Sequence, residues 1–129
     1  MKKALSMLLA AVLLASLFAV SFSGCSLFKN LTPEEVKANL ESAGYTVTVM
    51  TGEEYADSDQ NTYILLASEL ETYMYAVKDN DVIHLFFFID TDTASHNYDF
   101  MIAPDGLLGG QNNSVVYFGT RQARKDAKV

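Results

Sequence analysis

Residues 72–89 read TYMYAVKDNDVIHLFFFI, and the fold follows from them. TYMYAVK alternates side to side with a period of two, as a strand does. VIHLFFFI is the most apolar run beyond residue 28. Asp79-Asn80-Asp81 lies between the two as a short polar turn suited to a hairpin. In the second strand Ile83, Leu85, Phe87 and Ile89 would face one way, and Val82, His84, Phe86 and Phe88 the other. Both sets are apolar, so both faces should lose water, and the strand should be central with cover on each side.

Working outward, Thr32-Pro33-Glu34-Glu35 is a helix start, with Thr as N-cap, Pro in the first position and Glu three residues after the cap. Val36, Leu40 and Ala43 share one face, and Gly44 ends the helix. Tyr45–Thr51 (YTVTVMT) reads as a strand, and Gly52–Asn61 as an acidic loop. TYILLAS (62–68) reads as a further strand, although its pattern with Leu70, Tyr73 and Met74 also suits a helix. After the hairpin, Asp90 or Asp92 can cap a helix through about Met101, packing Ala94 and Tyr98. Pro104–Asn113 reads as a Gly- and Asn-rich loop, Ser114–Gly119 (SVVYFG) as a last strand, and Thr120 as the cap of a short basic helix, RQARKDA.

The expected class is therefore α+β, a mainly antiparallel four- to five-stranded sheet with two or three short helices in the order α-β-β-β-β-α-β-α. Hairpin-length connections place the helices on one face. So few short helices leave part of the sheet bare, an aromatic surface for a protein or peptide partner or for a second copy of the chain.

The N-terminal segment belongs outside that fold. Met1-Lys2-Lys3 is a basic start, Ala4–Phe28 carries no charge, and small residues follow the apolar run, the three parts of an export signal. Cys25 is the single cysteine of the chain, so it forms no internal disulfide. Phe22-Ser23-Gly24-Cys25 resembles the lipobox of bacterial lipoproteins, with Phe22 in the place where leucine is usual. The resemblance implies a diacylglyceryl group on the Cys25 thiol and cleavage between Gly24 and Cys25. Residues 1–24 would then be a removed signal peptide, 25–31 a lipidated N-terminus and tether, and 32–129 a single domain. Two other readings stay open: an uncleaved transmembrane anchor over Ala4–Phe28, and plain secretion without lipid. With lipid on Cys25, Ser26–Leu31 hold the domain within about 20 Å of the bilayer, at ~3.3–3.6 Å per residue.

Export would also change the charge. Without Lys2 and Lys3, seven basic residues face sixteen acidic ones, a net −9. Such a domain is repelled by nucleic-acid phosphate and by anionic headgroups, so neither is the expected main ligand. The one basic cluster is Arg121, Arg124, Lys125 and Lys128, read as a solvated terminal helix or as a face turned to anionic lipid.

No catalytic or cofactor signature occurs: no G-x-S-x-G, H-E-x-x-H, Rossmann or Walker glycine pattern, and no C-x-x-C. Asp57/Asp59, Asp79/Asp81 and Asp90/Asp92 form Asp-x-Asp pairs. The first imitates a calcium loop but places Thr62 where glycine is needed and Ser68 where a bidentate Glu belongs. His84 is expected packed and hydrogen-bonded in the core, and His96 exposed, neither with a partner spaced for zinc. Tyr45, Tyr55, Tyr63, Tyr73, Tyr75, Tyr98 and Tyr117 serve the core or line a sugar or peptide surface.

A looser resemblance covers most of the chain beyond Cys25. The succession SAGY, FID-x-DTA and VVYFGT-x-QA-x-KDA is similar to small lipoproteins of Gram-positive, clostridial-type bacteria. It implies location and fold and no activity. The expectation is a lipid-anchored extracytoplasmic binding module, not an enzyme, held in the membrane by lipid on Cys25. The alternatives are an accessory envelope protein without a small ligand, or an enzyme.

Overall fold

A computed structural model describes residues 31–129. Gly24, Cys25, the signal segment and all of the tether before Leu31 lie outside the described residues. Among the described residues, no helix is long and apolar enough to cross a membrane.

The first helix, α1 (Pro33–Ser42), starts where expected: the Thr32 hydroxyl accepts the Glu35 N–H at 3.3 Å. It ends in a Schellman motif, with Tyr45 N–H on the Leu40 carbonyl and Gly44 N–H on that of Glu41, both at 3.0 Å. Then come β1 (Thr46–Thr51), α2 (Gly52–Ala56), β2 (Leu70–Lys78), β3 (Asp81–Phe88) and α3 (Thr91–Tyr98). The chain closes with β4 (Leu108–Asn112), β5 (Val115–Gly119) and α4 (Arg121–Ala127). The strands form one sheet in the order β1-β2-β3-β5-β4, with every neighbouring pair antiparallel. This is the expected α+β class, with β3 in the centre.

The β2–β3 hairpin closes through Asp79-Asn80, pairing Lys78 with Asp81. Asp79 sits at φ 52, a left-handed conformation that Asp and Asn tolerate better than most residues. The β4–β5 hairpin repeats the device with Asn113 at φ 53.

Four details differ from the sequence expectation, each through tertiary contacts. Residues 62–69 form turns and irregular backbone, neither strand nor helix. Asn61 organises them: its side-chain amide donates to the Ala56 and Leu65 carbonyls at 3.3 and 3.1 Å, and its Oδ1 accepts the Leu65 N–H at 2.8 Å. The acidic loop begins as α2, capped by Thr51, whose hydroxyl accepts the Glu54 N–H. Part of the Gly-rich loop is the edge strand β4. Gly109 and Gly110 lie opposite Phe118 and Tyr117, and those rings occupy the space a side chain would take. A Cβ on Gly110 would stand 2.5 Å from the Tyr117 hydroxyl oxygen, and one on Gly109 2.8 Å from Phe118 Cε1. Lastly, helices cover both faces of the sheet rather than one.

On the helical face, α1 and α4 press Val36, Leu40, Ala123 and Ala127 onto Met74, Ala76, Ile83, Leu85, Phe87 and Val115. Complete burial of residues such as Leu40 and Leu85 contributes about 1.5–3 kcal/mol each. Tyr45 ties β1 to α4, donating its hydroxyl to Asp126 Oδ2 at 2.8 Å. Thr120 precedes α4 but makes no side-chain cap; its hydroxyl pairs with the backbone of Val82 on β3 instead. Arg124 lies with its guanidinium 5.3 Å from the Tyr117 ring centre, a cation–π contact for a side chain whose Nε has no hydrogen-bond partner among the described residues. Arg121, Lys125 and Lys128 are exposed.

On the aromatic face, Tyr73, Phe86, Phe88, Val116 and Phe118 meet Tyr55 of α2, Leu65 of the 62–69 segment, Ala94 of α3 and Met101. Asp90 caps α3 by accepting the Thr93 N–H at 2.7 Å. This cover is made of short helices and loops, and it is incomplete.

Candidate functional site

The gap in that cover is a cleft of about 390 Å³, at the lower end of the range of ordinary ligand sites, roughly 300–1,000 Å³. Its floor is Tyr55, Tyr73 and Phe86, all buried. Half-buried Tyr63, Tyr75 and His84 form its walls, and exposed Gln60, Thr62 and Pro104 its rim.

Strand register explains why these residues meet. Tyr75 lies opposite His84 and Tyr73 opposite Phe86 in the β2–β3 pair, so all four side chains project from one face. The rings form a continuous array. Tyr75 and His84 centroids are 4.8 Å apart, Tyr55 and Tyr73 4.5 Å, Tyr73 and Phe86 5.2 Å, and Tyr63 and Phe86 5.8 Å edge to face. Tyr63 reaches this array from the 62–69 segment, fixed by its hydroxyl bond to the Ile102 carbonyl at 2.7 Å.

Most of the phenol groups are committed inside the protein. Tyr55 donates to the Gln60 carbonyl at 3.0 Å, and Tyr73 is bonded to His84 Nδ1 at 2.8 Å. Burial, the first cause, pushes the Tyr55 phenol up to about 12 and holds Tyr73 higher still. Burial likewise raises the Tyr63 phenol. It lowers His84 below the ordinary imidazole value of 6.5, favouring the neutral ring. Which of the two groups donates in the Tyr73–His84 bond is set by the imidazole tautomer. The Tyr75 hydroxyl and the side chains of Gln60 and Thr62 make no hydrogen bond among the described residues.

No lining residue of the cleft is Asp, Glu, Lys or Arg, in a chain that carries sixteen acidic residues. The site can therefore pack flat apolar surface and both donate and accept hydrogen bonds through the Tyr75 and Thr62 hydroxyls and the Gln60 side-chain amide. It offers no ion pair.

Of the seven tyrosines weighed from sequence, the fold gathers Tyr55, Tyr63, Tyr73 and Tyr75 here. Tyr45 and Tyr117 belong to the helical face, and Tyr98 packs on Phe118 at 6.0 Å. His84 is hydrogen-bonded as expected but also borders the cleft. His96 is exposed on α3, its ring 5.3 Å from that of Phe100. The three Asp-x-Asp pairs stay apart, with Asp57 at the end of α2, Asp79 in the hairpin turn and Asp90 capping α3. Among the described residues, no group of three or more His, Cys, Asp or Glu is placed to hold a metal ion. Gln60, Thr62 and Pro104 were not visible as site residues, because nothing local distinguishes a rim position in a turn from any other polar turn.

Comparisons with protein families, with curated proteins and with solved structures gave no match for this chain.

Proposed function

We propose that this chain is a lipid-anchored extracytoplasmic protein whose folded domain is a binding module, with the tyrosine cleft as its binding surface. The observation that carries the binding is the uncharged aromatic cleft, left open between the sheet and the turns and short helices that cover this face. The anchoring rests on the sequence Phe22-Ser23-Gly24-Cys25 and the uncharged run before it. The site is read as one that holds a ligand rather than transforming it. His84 has its Nδ1 engaged by Tyr73, and no carboxylate lines the cleft to complete a general-base pair.

Two measurements test the two halves separately. Replacing Cys25 with Ser should abolish acyl labelling and processing; if both persist, the lipid anchor is wrong. Titrating the protein with a panel of neutral peptides and oligosaccharides should move the NMR signals of Tyr75 and His84 before those of the helical face. A panel that moves neither would refute the cleft as a binding surface.

A further inference from the structure

The net charge of the domain hides how that charge is distributed. On the helical face, α1 and α4 with its cap carry five basic residues, Lys37, Arg121, Arg124, Lys125 and Lys128. Four acidic residues share those helices: Glu34, Glu35, Glu41 and Asp126. Asp126 is already engaged, accepting from Tyr45 at 2.8 Å and from Gln122 at 2.9 Å. The rest of the described chain holds twelve acidic residues and a single basic one, Lys78. The molecule is therefore polarised, with most of its positive charge on one short helix. Arg121 and Lys125 are four residues apart, opposite the buried Ala123 and Ala127, and Lys128 closes the helix. All three are exposed.

The path of the chain is a second, independent observation. It enters the described fold at Leu31, whose side chain packs on the helical-face core, the layer that also holds Ala123 and Ala127 of α4. The segment leading back to Cys25 therefore joins the domain on the side of α4 and not on the side of the cleft. Ser26–Leu31 span about 20 Å at most, whereas screened charge acts over only about 8–10 Å. A domain held at that distance meets the bilayer repeatedly, and charge decides which face settles. Each Lys or Arg close to an anionic surface tightens adhesion about fivefold, while the acidic remainder of the domain is repelled.

We infer that Arg121, Lys125 and Lys128 of α4 form a docking surface for an anionic lipid bilayer, and that this contact keeps the tyrosine cleft, on the opposite face of the sheet, open to the outside. The docking rests on the membrane anchoring proposed above, whatever the cleft binds.

The test places the full chain in phosphatidylcholine nanodiscs with or without phosphatidylglycerol, adds a nitroxide-headgroup phosphatidylcholine, and reads paramagnetic broadening of the amide signals. The uncharged run Ala4–Phe28 is long enough to hold the chain in a bilayer whether or not Cys25 is acylated. A failed acyl-labelling experiment therefore leaves this one valid. With phosphatidylglycerol present, the amides of α4 should broaden severalfold more than those of Thr62, Tyr75 and His84 at the cleft. High salt should remove the difference. So should the combined variant Arg121→Glu, Lys125→Glu, Lys128→Glu, which alters exposed side chains only and should melt cooperatively. The milder pair Arg121→Gln, Lys125→Gln should reduce the difference severalfold, and it decides the matter if the charge-reversed chain does not fold. Equal broadening of the two faces overturns the inference, as does α4 broadening that is undiminished in phosphatidylcholine alone or in the variants. Stronger broadening on the cleft side overturns it too. Ile64, held left-handed at φ 57, and Ile102 stand 83% and 80% exposed there, and their entry into the bilayer would turn the cleft toward the membrane.

Discussion

The two faces of this sheet are built from similar amounts of apolar side chain and finish differently. On the helical face, α1 and α4 run over Met74, Ile83, Leu85 and Phe87, and their small residues Ala123 and Ala127 allow close approach. On the aromatic face the cover is a five-residue helix, an irregular segment pinned by Asn61, the α3 helix and the stretch around Met101. Large flat rings do not interdigitate as aliphatic side chains do, and loops cannot spread an even layer over them. The result is a cleft. Turns and short helices over aromatics leave space that a ligand can use.

The largest expected effect contrasts the faces directly. Leu85→Ala empties a completely buried position under α1 and α4, and should cost about 2–5 kcal/mol in urea unfolding. Tyr75→Ala, on the half-buried wall of the cleft, should cost about 1 kcal/mol or less. Equal losses at the two positions would mean that the aromatic face is as tightly packed as the helical one, and the contrast would collapse.

A smaller effect has the opposite sign. Asn tolerates the left-handed conformation that strains Ile64, and it is polar where Ile64 is exposed. Ile64→Asn should therefore raise stability by about 1 kcal/mol. A loss of stability would show that Ile64 contributes packing to the aromatic face, which its exposure argues against.

The smallest effect concerns pH. Burial lowers the His84 pKa below 6.5 in the folded protein. Between that folded value and 6.5 the unfolded chain binds the proton and the native one does not, so stability falls as pH drops through this window. It levels off once the native imidazole is also protonated. Thermal unfolding between pH 8 and pH 5 should show this decline, and His84→Gln should reduce it. An unchanged profile in the variant would place His84 in a wetter setting than the cleft wall. Asp126 acts lower on the scale. Its bond from Tyr45 holds the carboxyl below its ordinary 3.8, so that contribution is present above 3.8 and lost as pH falls through the folded value.

How much could be read in advance depended on how local the signal was. Thr32-Pro33-Glu34-Glu35 and Gly44 carry the whole account of where α1 begins and ends, because caps and left-handed turns are decided within a few residues. Asp79-Asn80 between two alternating runs located the central hairpin for the same reason. TYILLAS misled because its apolar alternation is that of a strand, yet it packs over the aromatic face and pairs with neither edge strand, β1 or β4. It buries Tyr63 and Leu65 onto the aromatic face and exposes Ile64 and Leu66. LGGQN misled in the other direction. Two glycines look like loop until the cross-strand rings of Tyr117 and Phe118 are seen lying over them.

By itself, then, the sequence determined the class, the central hairpin, the caps of α1 and α3, the tyrosines from which a surface is drawn and the grounds for expecting a lipid on Cys25. These depend on periodicity, composition and short motifs. Only the tertiary structure decided that helices cover both faces, that 62–69 is a lid instead of a strand, and that Tyr55, Tyr63, Tyr73 and Tyr75 with His84 enclose one uncharged cleft. Those outcomes depend on which surfaces remain to be covered once the hairpin has formed, and that is a property of the whole assembled sheet.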